Sequence, residues 1–278
     1  IDGKKLAGER EQFLKIEVEK LTEKIGRKPK LVAVELADDE GSRLYLKLKK
    51  AAAERIGIEM EVYETSVLKL VGFRKLHRID TDGIFIQHPR GFDKQKWQEL
   101  VDQIPPEKDV DCLTSENLRL IKEGKPRFLP ATVKAVLYCL ESLERSDLAV
   151  RQGRTLKYVV LGRSPMVGLP LFWWLKSLGA DVSVVHSGTG SEERIASCLN
   201  ADVLISSVGK PGIITGDMIK SGAVVIDCGS PAGDVVFSEV APKTSAITPV
   251  PGGVGPLTVV SLMENVVKSA KDIYAKKR

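Results

Sequence analysis

The sequence predicts an α/β fold in which helices pack on mostly parallel sheets. Three observations carry that prediction. Short apolar runs alternate with amphipathic stretches along nearly the whole chain, a proline-rich charged segment interrupts the rhythm near the middle, and a second, stronger strand–helix rhythm follows it. Strand, helix, strand repeated in this way needs crossover connections, which parallel strands require.

In the first half, residues 5 to 25 set Leu6, Phe13, Ile16, Val18 and Leu21 among polar residues, as an amphipathic helix does. Leu31 to Leu36 is a short apolar strand, closed by a polar turn at Asp38, Asp39, Glu40 and Gly41. Ser42 to Ile56 reads as a helix, Met60 to Tyr63 as a second strand and Asp82 to Gln87 as a third. Pro105, Pro106, the charged run Glu107 to Asp111, Pro126 and Pro130 then mark the best candidate for a domain junction, and a helix is expected over Thr132 to Glu144. In the second half, strands are expected at Lys157–Leu161, Asp181–Val185, Asp202–Ser206 and Ala223–Asp227. A Pro/Gly-rich loop, Pro249 to Pro256, precedes a closing helix over 257–275 with Leu262, Val266 and Ile273 on its apolar side. No internal repeat or low-complexity segment is evident.

A chain of 278 residues is long enough for two modest domains or one large one. No apolar run reaches the roughly 18 residues that span a bilayer and no signal peptide precedes Ile1, so a cytoplasmic protein with no membrane partner is expected. An opening on Ile rather than Met leaves room for a few preceding residues. Cys112, Cys139, Cys198 and Cys228 lie far apart without a Cys-x-x-Cys pair, which points to reduced small hydrophobes and to no metal. The net charge of +5 is scattered; the groups Lys47, Lys49, Lys50 and Lys276, Lys277, Arg278 read as solvated surface. No aromatic–basic interleaving accompanies the charge, so no nucleic-acid partner is expected, and an anionic small molecule fits better.

The strand Lys157–Leu161 runs straight into Gly162-Arg163-Ser164-Pro165-Met166-Val167-Gly168 and an apolar helix over Leu171 to Leu178. Gly162 permits a tight turn and Gly168 a close backbone approach to phosphate, while N–H groups of the helix's first turn are expected to face a pyrophosphate. The glycine spacing is not Gly-x-Gly-x-x-Gly; its context, strand before and helix after, is what makes it a Rossmann-like dinucleotide site. An NAD enzyme usually ends its second strand on an acid that bonds the ribose hydroxyl. Here the strand ends His186-Ser187-Gly188-Thr189, where hydroxyls and the Arg163 guanidinium suit a 2′-phosphate, so NADP is favoured and NAD stays possible. An ordinary turn whose Ser and Thr cap the next helix is the plainer reading.

On the helix after Leu36, Ser42, Tyr45 and Lys49 fall on one stripe, beside an apolar stripe of Leu44, Leu48 and Ala52. Taken alone, Tyr45 reads as a half-buried packing residue and Lys49 as a solvated charge. Gln87 ends an apolar strand, which is where open α/β sheets bind ligands. Asp109 and Asp111 serve equally as turn residues or as ligands of a substrate.

Placed in order, Ser42-x-x-Tyr45-x-x-x-Lys49, Asp82-Gly-Ile-Phe-Ile-Gln87-His-Pro89, Lys108-Asp109-Val110-Asp111, Gly162-Arg-Ser164-x-x-Val-Gly168-x-Pro170, His186-Ser187 and Thr248-Pro-Val-Pro-Gly-Gly-Val-Gly-Pro256 closely resemble the methylenetetrahydrofolate dehydrogenase/cyclohydrolase family, over essentially the full length. The resemblance implies two α/β domains with a cleft between them, usually in a homodimer. Residues 1–131 with the final helix, 257–278, would be the folate-binding catalytic domain, and 132–256 the Rossmann-like NAD(P)-binding domain. It implies oxidation of 5,10-methylenetetrahydrofolate with hydride transfer to NADP, then hydrolysis to 10-formyltetrahydrofolate, in one-carbon metabolism and purine biosynthesis. Lys49 would be the central catalytic residue, Gln87 would hold it, Tyr45 would lie against the folate rings and Asp111 would bind the amino-pyrimidine edge of the pterin. Pro251, Gly252 and Gly253 would line the folate side. Gly162, Arg163, Ser164, Val167, Gly168, His186, Ser187, Thr189 and Gly209 would bind the cofactor.

Four segments depart from the family pattern. Gln-Leu-Pro-Leu-Pro becomes Gln87-His88-Pro89-Arg90-Gly91, and Asp-Val-Asp-Gly becomes Asp109-Val110-Asp111-Cys112. Pro-Cys-Thr-Pro-x-Gly becomes Pro130-Ala131-Thr132-Val133-Lys134-Ala135, and Asp-Val-Gly-Ile-Asn becomes Asp227-Cys228-Gly229-Ser230-Pro231. They keep two alternatives open: a dehydrogenase with little or no cyclohydrolase activity, and a noncatalytic folate- or nucleotide-binding protein. His88 reads as a plain surface histidine that, if near Lys49, would perturb it.

Overall fold

The computed structural model describes residues 1–36, 40–64, 81–88, 93–144 and 155–276. The expected turn residues Asp38 and Asp39, the segment 89–92 and the terminal Lys277 and Arg278 lie outside them, as do the side chains of Glu40, Gly41, Ser42 and Leu44. In chain order the elements are α1 (Gly3–Ile25), β1 (Lys30–Glu35), α2 (Glu40–Ile56), β2 (Glu59–Glu64), β3 (Gly83–Gln87), α3 (Lys94–Val101), α4 (Ser115–Lys122), α5 (Ala131–Glu144), β4 (Lys157–Leu161), α6 (Gly168–Ser177), β5 (Asp181–Val185), α7 (Ser191–Asn200), β6 (Val203–Ser206), β7 (Val224–Asp227), α8 (Phe237–Val240), β8 (Ala246–Ile247) and α9 (Val254–Lys276).

The chain divides into two compact units. One holds residues 8–120, 126–131 and 259–278. Its described strands form a parallel sheet in the order β2-β1-β3. β1 and β3 are buried almost throughout, the continuous apolar pattern of a parallel sheet covered on both faces. The first strand's neighbours lie on either side of it, so β1/β3 is a topological switch point, and the groups after those two strands flank the crevice where such sheets bind ligands.

The other unit holds residues 1–7, 121–125 and 132–258. Its parallel sheet runs β5-β4-β6-β7-β8, with the switch point between β4 and β6. Leu161, Leu204, Val225 and Cys198 are among the buried residues of its core.

Both sheets use the same polar device at the end opposite their ligand crevices. Asp82 accepts Lys30 N at 2.8 Å and both Arg27 Nη groups at 2.7 and 2.9 Å. Asp202 accepts Lys157 N at 3.0 Å and Lys220 Nζ at 2.6 Å. Each carboxylate is nearly fully buried, satisfies a strand's first N–H and has a cation beside it, which is what a buried charge requires.

Two apolar expectations fail. Phe13 and Ile16 on α1 are 75% and 51% exposed, while Leu14, Val18 and Leu21 face the core. Leu48 on α2 is 50% exposed while its neighbour Lys49 is only 8% exposed. Val18 and Leu21 on α1 and Ala52 on α2 are buried as expected, and in both helices the buried face is rotated far enough to leave Phe13, Ile16 and Leu48 outside it.

Candidate functional site

In the unit built on β1–β3, α2 brings Lys49 to the carboxyl end of β3. Its Nζ donates to Gln87 Oε1 at 3.1 Å and lies 4.0 Å from the centroid of the Phe85 ring. Phe85 and Gln87 are two residues apart on β3 and so project from the same face. Burial pushes the Lys49 amine below its ordinary value, and the charge of Asp111 opposes that shift. Burial likewise pushes the half-buried Asp111 carboxyl up, with Lys49 pulling it down. Tyr45 is half-buried one turn before Lys49 on the same helix.

The turn bearing Asp111 is braced from several directions. Lys108 O accepts Ile84 N at 2.7 Å, so the turn starts as an extension of the sheet beside β3. Asp109 Oδ2 accepts from Thr114 N and Asn117 Nδ2, both at 2.8 Å. From α9, Asn265 Nδ2 donates to Val110 O at 2.8 Å and Leu129 O at 2.9 Å. Cys112, directly after Asp111, has φ +62, a left-handed conformation in which a side chain is strained. Its thiol donates to Phe128 O at 3.2 Å, and burial, then the charges of Asp109 and Asp111, push its ionisation well above the usual thiol value. The other thiols are raised as well, Cys139 to about 12 and Cys198 to about 11, so the cysteines are protonated at neutral pH and supply no nucleophile. His88 differs from the surface histidine expected: it is half-buried, its ring meets Trp97 edge-on at 4.6 Å, and burial lowers its pKa.

In the other unit, the glycine turn follows β4. Gly162 has φ +104 and donates to Val185 O at 2.8 Å. A Cβ on Gly168 would stand 2.1 Å from Gly162 O, and one on Gly162 would stand 2.6 Å from Ser207 O. Backbone therefore packs on backbone here, and glycine is required at both places. Ser164 changes the donor inventory at the start of α6. Its hydroxyl accepts Val167 N at 3.2 Å, its carbonyl accepts Leu169 N at 3.1 Å, and Pro170 has no N–H. The expected row of first-turn donors is thereby shortened.

At the end of β5, His186 Nδ1 accepts Gly188 N at 2.9 Å, and the Thr189 hydroxyl accepts His186 N at 3.2 Å. Arg163 and Ser187 are exposed, and residues 186–189 include no carboxylate. Gly209 has φ +72 and its N–H goes to Asp234 Oδ2 at 3.2 Å. Asp234, buried after β7, also accepts from Ser206 Oγ, Val208 N and Lys210 N, tying the loops after β6 and β7 together. Gly252 has φ +107 and its carbonyl accepts Lys4 N at 3.1 Å, Pro251 is exposed after a cis bond, and a Cβ on Gly253 would meet Pro249 O at 2.6 Å.

The structure thus brings Lys49, Gln87 and Asp111 into one electrostatic unit and joins Gly162 to Gly168 in one turn. Phe85, Asn265 and Asp234 escaped sequence reasoning. Phe85 had a signal, since it stands two residues before Gln87 on a strand; Asn265 and Asp234 had none, because their partners are remote in sequence and mostly backbone groups. The strand–turn–helix geometry, with a cradle that any Cβ would fill and no acid in residues 186–189 after the second strand, fits a phosphorylated dinucleotide.

These features define an α/β enzyme with a dinucleotide-binding unit and a separate, lysine-centred chemical site. Residues 1–111 match the catalytic domain of tetrahydrofolate dehydrogenase/cyclohydrolase, and residues 130–274 match its NAD(P)-binding domain. The chain belongs to the tetrahydrofolate dehydrogenase/cyclohydrolase family. It is 38% identical to the bifunctional protein FolD of Porphyromonas gingivalis, covering 99% of this chain and 97% of that protein. Its structure resembles the FolD dehydrogenase/cyclohydrolase of Campylobacter jejuni, with a TM-score of 0.88, 34% identity and 98% of each chain covered. It also resembles the Trypanosoma brucei FolD solved with NADP and an inhibitor, with a TM-score of 0.86 and 31% identity, over 99% of this chain and 97% of that one. Among the described residues no helix is long and apolar enough to cross a membrane.

Proposed function

We propose that this protein oxidises 5,10-methylenetetrahydrofolate with NADP and hydrolyses the resulting 5,10-methenyl compound to 10-formyltetrahydrofolate. The observation that carries the chemistry is a lysine buried to 8% exposure, held at 3.1 Å by Gln87 and coupled to Asp111. Burial favours the neutral amine and Asp111 favours the ammonium, so Lys49 is poised to exchange a proton. In the hydrolysis, water adds to the methenyl carbon, its protons leave, the bond from that carbon to N5 breaks, and N5 takes up a proton. Lys49 as amine receives a proton from the attacking water; as ammonium it returns one to N5. Gln87 fixes the Nζ position, Tyr45 offers an aromatic face to the pterin, and Asp111 accepts its amino-pyrimidine N–H groups. Pro251, Gly252 and Gly253 line the folate side.

When bound, NADP supplies the hydride acceptor. Gly162, Ser164, Val167, Gly168 and Gly209 give the pyrophosphate close backbone approach, and Arg163, His186, Ser187 and Thr189 surround the 2′-phosphate. Residues 1–131 with 257–278 form the folate-binding domain, and 132–256 the cofactor domain. The protein acts as a cytoplasmic homodimer in one-carbon metabolism that feeds purine biosynthesis.

Two spectrophotometric assays test the reading. Methylenetetrahydrofolate with NADP should give methenyl absorbance faster than with equal NAD, and no oxidation with either would refute the enzyme reading. Methenyltetrahydrofolate alone should decay faster than in buffer. Decay at the buffer rate would leave a monofunctional dehydrogenase, the second reading, which the substitution of Cys112 beside Asp111 motivates.

A further inference from the structure

We infer that Phe85 is a positioning residue for Lys49, the face of its ring acting as a second partner of the lysine headgroup beside the Gln87 carbonyl. The inference rests on the reading of Lys49 as the working lysine. Phe85 is fully buried on β3, and the two-residue period of that strand puts its ring and the Gln87 amide on one face. Nζ lies 4.0 Å from the ring centroid, against 5.4 to 5.9 Å for the other lysine–ring contacts of the described residues. A cation is attracted to a ring face within roughly 6 Å, and most strongly where water is excluded.

The ring does something that neither a carboxylate nor an aliphatic side chain does there. It favours the ammonium without adding a second negative charge to compete with Asp111 or repel an anionic substrate. An aliphatic residue would bury Lys49 equally and offset none of the desolvation cost. With Oε1 of Gln87 taking one N–H and the ring facing the headgroup, the remaining donor capacity is kept for Asp111, substrate or water. Titratable groups on the surrounding elements include Glu35 at the end of β1, Tyr45, Lys47 and Lys50 on α2 itself, His88 after β3, and Asp109 and Asp111 on the turn. Of these, Asp111 is the one whose charge acts on Lys49.

The test replaces Phe85 by 4-fluoro- and 3,4,5-trifluorophenylalanine in the full-length protein, which weakens the ring face while nearly keeping its shape, and separately by Leu. The titration of Lys49 is read without catalysis, as the pH dependence of its acylation by an amine-reactive reagent followed by peptide mass spectrometry. At a fixed pH below the parent's midpoint, labelling of Lys49 should rise stepwise with fluorination, by about two- to thirty-fold at the end of the series. Phe85→Leu should move the same way if it folds. The limb of the kcat/KM pH profile that belongs to Lys49 should shift in parallel. A labelling titration that stays fixed across the fluorine series overturns the inference. A titration that moves while the kcat/KM profile does not supports the contact and overturns the catalytic reading of Lys49 instead.

Discussion

Lys49 Nζ on α2 and Gln87 Oε1 on β3 are joined by a 3.1 Å hydrogen bond across 38 residues of sequence. That bond fixes a long, flexible side chain at the carboxyl end of a strand, where positional error is costly to catalysis. Lys49→Met should therefore lower both activities, with the hydrolysis falling by about 10²- to 10⁴-fold, the usual worth of a positioned acid–base group. Gln87→Met keeps the length of the side chain and removes the acceptor; a loss of roughly 10- to 100-fold is expected, since the lysine remains but is no longer held. Steady-state assays of both reactions check this, and a fully active Gln87→Met protein would contradict the role given to the bond.

The same site should be a source of instability. Lys49 is lowered by burial, so its unfolded form stays protonated to higher pH than its folded form. Between the folded value and the ordinary 10.5, unfolding takes up a proton, and the cost of the buried charge is relieved as pH rises through that window. Asp111 is raised by burial, so between the ordinary 3.8 and its folded value the folded state holds the extra proton, and stability falls as pH rises there. Near neutral pH both costs are present. The double variant Lys49→Met, Asp111→Asn should unfold at a higher temperature than the parent, by about 1–2 kcal/mol in stability, while losing activity. Thermal unfolding at neutral pH decides it, and a destabilised double variant would mean that the pair contributes more than its desolvation costs.

Cys112 offers a separate test on backbone strain. A left-handed φ costs a non-glycine residue roughly 1–2 kcal/mol, which Cys112→Gly would relieve while losing a weak thiol hydrogen bond and some packing. Those terms oppose each other, so Cys112→Gly should stay within about 1 kcal/mol of the parent. Cys112→Val adds a β-branch at the strained position and should fall at least ~2 kcal/mol below it. Urea denaturation orders the three proteins; equal stability of the Val variant would remove strain from the account.

Much of this architecture was legible in the chain. Lys157–Leu161 and Asp181–Val185 are the observed strands to the residue, because each is a short run rich in valine bounded by glycine-bearing segments of sequence. The short polar helices α3 and α4 were not anticipated, and α7 only as a helix of unstated length after the turn at 186–189: Lys94–Val101 is set by the Asp93 cap, which accepts Lys96 N at 2.9 Å, and Ser191–Asn200 has Cys198 as its buried residue. The site residues were nameable from ordered motifs, but their physical state was not. Nothing local distinguishes Lys49 from the exposed Lys47 and Lys50; burial comes from β3, more than thirty residues on. Residue identity also hid the strain at Cys112, which the backbone alone reveals.

The glycine cradle predicts a steric failure. Gly168→Ala places a methyl 2.1 Å from the Gly162 carbonyl oxygen, a backbone atom that cannot step aside. The turn must open, and cofactor affinity should fall by at least about 100-fold or the unit should fail to fold. Cofactor titration together with circular dichroism separates the two outcomes; wild-type NADP affinity in Gly168→Ala would show that the turn is not the cofactor's seat.

Cofactor choice gives the last prediction. Ser187 is exposed at the end of β5, with no carboxylate in residues 186–189 and the exposed Arg163 on the neighbouring turn. Ser187→Asp places a negative charge where the 2′-phosphate is expected and where an NAD enzyme keeps an acid for the ribose hydroxyl. Repulsion of a dianionic phosphate at a few ångströms in partly desolvated surroundings amounts to several kcal/mol before screening, so kcat/KM with NADP should drop by about 100-fold or more. With NAD it should hold or rise, because the carboxylate gains a hydroxyl to accept from. Since the residue is exposed, the unfolding temperature should not move. The parent should prefer NADP and the variant NAD in paired assays at equal concentrations. A variant that lost both cofactors equally would place Ser187 away from the 2′-position and return the preference to Arg163 alone.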